Sequence, residues 1–173
     1  WINAFYITES IYGQSWCGLR VHEDMKIMSA AWKKWEKGMM LMRRALEKVP
    51  PKKLENAKKM IGVGEFCCHA FLTMLHTKKW WVLNKKLEVE HNVKTANKLL
   101  DEMCEIIRKE RKNVEETLPL VERDSRLGWE PSMDYICDPA HIHWKLRQLD
   151  NLENNTLRMY RKSVAIRPEM DKS

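Results

Sequence analysis

At 173 residues, with 44% hydrophobic and 32% charged, the chain has the size and composition of a single soluble domain and is too apolar for a disordered one. Only six Gly and six Pro among abundant Lys, Glu, Leu and Met predict long helices, and no apolar run approaches the ~20 residues of a membrane span. The formal charge of +7 admits an anionic partner, while five cysteines, odd in number and without a CxxC pair, argue for reduced thiols and a cytoplasmic setting.

Residues 1–21 carry Trp1, Phe5, Tyr6, Tyr12 and Trp16 with Gly13 and Gly18 between them, and neither a 3.6- nor a 2-residue period holds across them. They read as an irregular aromatic lead-in to a helical domain spanning 22–173. Beginning at Trp1 rather than Met, the chain reads as part of something longer.

From His22 onward a period appears. Met25, Met28, Trp32, Trp35, Met39, Met42, Leu46 and Val49 alternate spacings of three and four, which draws one stripe down a helix. The stripe predicts buried core rather than a cofactor box, because methionine packs readily on aromatic faces. Pro50 and Pro51 stop this helix, and Pro51 suits the first position of the next.

The second helix shows Leu54, Ala57, Ile61, Gly64, Cys68, Phe71 and Leu75 at the same spacing. Ala57 and Gly64 leave a hollow into which Trp32 and Trp35 of the first helix could fit. A turn is expected near Glu90, His91 and Asn92. The third helix then reads Val93, Ala96, Leu100, Met103, Ile107, Glu110, Val114, Thr117 and Val121. A carboxylate on an apolar stripe is costly unless paired, so Glu110 needs a partner or an edge position. Pro119 either kinks or ends this helix.

Residues 121–135 break the helical pattern. Gly128 and Pro131 interrupt it, and Glu122, Arg123, Asp124, Arg126, Glu130 and Asp134 surround Trp129 and Tyr135. A loop this long within a compact domain is usually functional. Asp124, Arg126, Trp129, Glu130 and Tyr135 are therefore the candidate ligand or interface contacts, with bracing of the loop through Asp124 and Arg126 as the alternative. The last helix starts with Asp138 as N-cap and Pro139 behind it, and shows Ile142, Leu146, Leu149, Leu152, Thr156, Met159 and Ser163 before Pro168. Four main helices with short early connections predict an all-α, antiparallel bundle.

Catalytic and metal signatures are weak. His69 and His76 lie seven apart beside Cys68, and His141 and His143 lie two apart, neither being a zinc-ligand spacing. Cys67, Cys68 and Cys137 read as inert core thiols rather than nucleophiles. Gly62 and Gly64 sit inside a helical pattern, which is the wrong context for a phosphate loop. The loop carboxylates could form an acid/base pair, but spacing along a loop does not set their separation in space. No catalytic residue, metal or cofactor is assigned. The basic run from Lys33 to Lys59 reads first as a solvated helix face, with neither specific nucleic-acid nor membrane binding expected.

One resemblance adds a context. Glu115-Glu116-Thr117-Leu118-Pro119-Leu120-Val121-Glu122, then Asp124-Ser125-Arg126-Leu127-Gly128-Trp129-Glu130-Pro131-Ser132-Met133, and later Trp144-Lys145-Leu146-Arg147-Gln148, resemble phrases in the helical C-terminal regions of large bacterial glycoside-hydrolase-like proteins. In those proteins a TIM-barrel region similar to hexosaminidases or α-glucuronidases precedes the helices. The resemblance covers about a third of the chain and carries no catalytic residue across, since the catalytic carboxylates would sit on the barrel. It implies a non-catalytic accessory domain whose partners are an upstream catalytic domain of the same chain and a carbohydrate. A free-standing helical module binding an anionic partner through the basic face is the alternative.

Overall fold

Capping chemistry and proline placement divide the chain into antiparallel helices. The computed structural model describes residues 16–130 and 135–166. Helix α1 runs Trp16–Ala45, α2 Leu54–Glu88, α3 Val93–Arg123, α4 Pro139–Asn151 and α5 Leu157–Ile166. Asn92 caps α3 by accepting from the Thr95 amide at 3.0 Å, and Asp138 caps α4 by accepting from the His141 amide at 2.9 Å. Pro51 opens a short 3₁₀ turn that leads into α2. Residues 16–21 of the expected lead-in are helical and belong to α1; residues 1–15 lie outside the described residues.

The fold is all-α. Among the described residues its one extended feature is a two-residue antiparallel ladder between β1 (Trp129–Glu130) and β2 (Tyr135–Ile136), with Trp129 opposite Ile136. Helices α2, α3, α4 and α5 enclose the main core, in which Leu100, Met103, Ile107 and Val114 of α3 are fully buried. Each such side chain stabilises the fold by about 1.5–3 kcal/mol. The α3 pattern read from the sequence matches the buried face along its length, apart from the half-buried Val93. Pro119 does not end α3, which runs on to Arg123 with Leu120 and Val121 buried.

Helix α1 rides on the outside of α2. Val21 packs with Trp81 and Val82, Arg43 pairs with Glu65 at 2.7 Å, and Lys78 reaches Asp24 at 3.1 Å. Trp35 tilts against Phe71 with ring centroids 5.9 Å apart and donates its indole N–H to the Gly64 carbonyl at 2.9 Å. At Gly64 a Cβ would stand 2.5 Å from Met39 Sδ, so the end of the Met39 side chain would have to move aside.

The expectation that the whole Met-Trp stripe is core is corrected. Met39 is buried, Met25, Met28 and Trp32 are half-buried, and Trp35 and Met42 are each 41% exposed. An outer helix packed mainly on one neighbour covers a narrow line, not the ≳100° arc of a helix facing a full core.

The last helix carries a second correction. Leu152–Thr156 forms a π turn between α4 and α5. It inserts one extra residue into a turn, so the face beyond it rotates by roughly 100°. Leu157 and Val164 become buried, while Met159 and Ser163, expected on the stripe, face solvent.

Candidate functional site

The partner that Glu110 requires comes from two other helices. Glu110 is 0% exposed at the middle of α3. One carboxylate oxygen accepts from Lys145 Nζ of α4 and, at 2.7 Å, from Thr73 Oγ1 of α2. The other meets His76 Nδ1 of α2 at 2.7 Å. One turn along α3, Asn113 extends the network: its amide donates to Thr73 Oγ1 at 2.9 Å and to the His69 carbonyl at 3.0 Å, and its oxygen lies 2.7 Å from His69 Nδ1. Three helices are thus tied at one level by a fully hydrogen-bonded carboxylate.

Burial pushes the Glu110 carboxyl upward, but the bonds from His76, Lys145 and Thr73 outweigh it and hold the group below its ordinary value. Lys145 is pulled below its ordinary value by burial, against the pull of Glu110. A Glu110 carboxylate can only accept, so Lys145 Nζ and His76 Nδ1 are the donors to it. That leaves Nε2 as the open ring nitrogen.

His76 itself is only 4% exposed, and it lines a cleft of about 440 Å³ between α1 and α3, floored by α2. Lys33, Lys79, Lys109 and Lys112 also line this cleft, as do Trp32 and one carboxylate, Glu116, which lies 3.8 Å from Lys112. Burial, and then the Lys109 charge, push the Lys79 ammonium below its ordinary value. Lys79 and Lys109 also line a neighbouring groove of about 680 Å³ with apolar walls at Val82, Leu83 and Ile106.

The five loop residues singled out from the sequence are only partly drawn together. Asp124 and Arg126 form a bidentate pair at 2.8 and 2.6 Å inside the 3₁₀ turn Ser125–Gly128 that follows α3. Hydrogen bonds from the Arg126 side chain hold the Asp124 carboxyl down at about 2. The same two residues edge a cleft with Lys59, Met60 and Val63 at the start of α2. The pair braces the turn locally rather than tying it to another helix. Trp129, Glu130 and Tyr135 are placed by their backbone in the small ladder, whose base is closed by the Cys137 amide donating to the Gly128 carbonyl at 2.6 Å. Pro131 and Asp134 lie outside the described residues.

Sequence reasoning flagged Glu110 and noted His69 and His76, though only as possible metal ligands; it missed Thr73, Asn113 and Lys145 and the pairing of His76 with Glu110. Thr73 and His76 lie on a second buried face of α2, with Gly62, Trp80, Leu83 and Leu87, which a search for one apolar stripe passes over. The usable signal was the position of Glu110: a carboxylate in mid-stripe demands cations from facing helices. Compared with protein-family models, curated proteins and solved structures, the chain matches none.

Proposed function

We propose that this chain is a non-catalytic helical accessory domain of a larger carbohydrate-processing protein, packing on or completing a glycoside-hydrolase-like catalytic domain. The observation that carries the accessory role is an apolar strip on the outer side of α1 and α2. Met60, Val63 and Met74 recur at helical spacing along α2, exposed by 66%, 40% and 52%, and Trp35 and Met42 of the adjacent α1 are exposed as well. Exposed apolar strips of this extent mark protein contacts. The central ionic network supports a structural rather than a catalytic role for Glu110 and Lys145, whose charged atoms are closed to any substrate. The carbohydrate context rests on the sequence resemblance alone.

The open reading frame that encodes the chain provides the first test, since the proposal requires a barrel-type catalytic domain upstream. That domain and this chain, produced as separate polypeptides, should associate in titration calorimetry. Met60→Glu with Met74→Glu should weaken the association by roughly tenfold or more, as burial of two charges in an apolar contact demands. Absence of the barrel, or association indifferent to the two substitutions, refutes the proposal.

A further inference from the structure

We infer that the lysine-lined cleft between α1 and α3 is a binding site for an oxyanion, a phosphate or carboxylate group of a small molecule, seated against His76. This inference is independent of the accessory role and concerns the opposite side of α2 from the apolar strip. Helical spacing separates the two sides: His76 stands nine residues from Cys67, which lies on the strip side between Val63 and Met74, and so about 180° around α2.

Two observations carry it. The first is charge. Lys33, Lys79 and Lys109 form no ion pair among the described residues, and Glu116 is the one carboxylate in the lining, set against four ammonium groups. Lysines that converge in a concave wall repel one another, and a bound anion relieves that repulsion.

The second observation is His76. Its Nδ1 is committed to Glu110, which fixes the ring orientation, much as a carboxylate orients a catalytic or metal-binding imidazole. Nε2 has no hydrogen-bond partner among the described residues, and the ring lines the cleft although the residue is almost wholly buried. Nε2 keeps contact with solvent rather than being sealed in the core, so it is open to a ligand in the cleft. Protonated, Nε2 donates to an anionic oxygen; neutral, it accepts from a protonated phosphate oxygen or a carboxylic acid. The ion pair beneath the ring thus keeps a recognition group aimed at the cleft, and the adjoining groove has apolar walls that suit the organic part of a ligand.

The test is a titration of the intact chain with inorganic phosphate and, separately, with acetate, at ionic strength held constant with chloride. Long-range proton–nitrogen spectra of the imidazoles report His76 Nε2 directly. The expected result is a saturable shift of Nε2 with at least one of the two anions, and the tighter one identifies the source of the oxyanion. Lys79→Gln with Lys109→Gln, both at the rim and away from the packed core, should weaken that binding roughly tenfold while the thermal midpoint holds. Lys53→Gln, in the 3₁₀ turn that precedes α2, should leave it unchanged. A shift of Nε2 that fails to saturate with either anion overturns the inference. Equal binding by the double variant and by Lys53→Gln overturns it too.

Discussion

Replacing Lys145 by Met tests the central network most directly. The substitution keeps the length of the side chain and its packing between α3 and α4, and removes only the ammonium. Glu110 is 0% exposed and Lys145 3% exposed, so solvent offers no replacement partner. Removing one member of such a pair costs about 3–5 kcal/mol, because the remaining charge is buried without compensation. For a chain of this size that corresponds to a fall in Tm of roughly 6–20 °C. Urea unfolding followed by far-ultraviolet circular dichroism measures it. Adding Glu110→Gln removes the stranded charge, leaves one amide oxygen to accept from Thr73 and turns the amide N–H toward His76, whose neutral ring can accept it through Nδ1, and should recover at least half of the loss. The pH response adds an independent check. In the native chain the folded pKa of Glu110 lies below its unfolded value, so its contribution is complete above the unfolded value and fades as pH falls through the folded one. Without Lys145, burial dominates and raises the folded pKa above the unfolded one. The variant then binds more protons folded than unfolded, and its deficit should narrow between about pH 8 and about pH 5. A Lys145→Met loss below about 1 kcal/mol, or a deficit that widens on acidification, would refute the buried ion pair.

Three further outcomes are expected. Gly64→Val should destabilise by roughly 1–3 kcal/mol, since its side chain would displace Met39, whereas Gly62→Ala, where a Cβ meets nothing within 4 Å, should stabilise by up to about 1 kcal/mol; urea midpoints separate the two. Deleting Asn154 from the π turn should convert it to regular α-helix with Leu157 and Val164 still facing the core, so the variant should fold with near-native cooperativity; a molten or unfolded product would show that the widened turn itself is needed. The Asp124 carboxyl should titrate near pH 2 by carbon-detected spectroscopy, and because its folded pKa is depressed, the hold of the turn is complete above about pH 4 and is lost as pH falls through about 2. In Arg126→Ala that titration should return toward the ordinary aspartate range and amide protection of 125–128 should drop.

Helix α3 shows how far a single periodicity reaches. Its stripe from Ala96 to Val121 lies against the core along its full length, and the misfit at Glu110 announced a buried partner before any partner was known. Asn92 and Asp138 identified two helix starts because capping is a contact between residues three apart. The loop residues Asp124 and Arg126 were legible as a pair for the same reason, being two residues apart. Helix α2 shows the limit. Its two buried faces, toward α1 and toward α3, overlap into a pattern with no single direction, so Thr73 carried no visible mark and His76, noted beside His69, was weighed only as a metal ligand.

What the sequence by itself determined was local: helix content, the caps, the core face of α3 and the need of Glu110 for a counter-charge. Those follow from backbone geometry and from contacts within a turn or two of chain. Tertiary structure alone decided that α1 packs as an outer helix with Trp35 half in water, that a π turn rotates the end of the chain, and that Lys145, His76 and Thr73 converge on Glu110 from helices 34 to 37 residues away in sequence. Such convergence depends on which helices become neighbours and how they are rotated about their axes. Those choices are set by the packing of whole faces, which no spacing within one helix records.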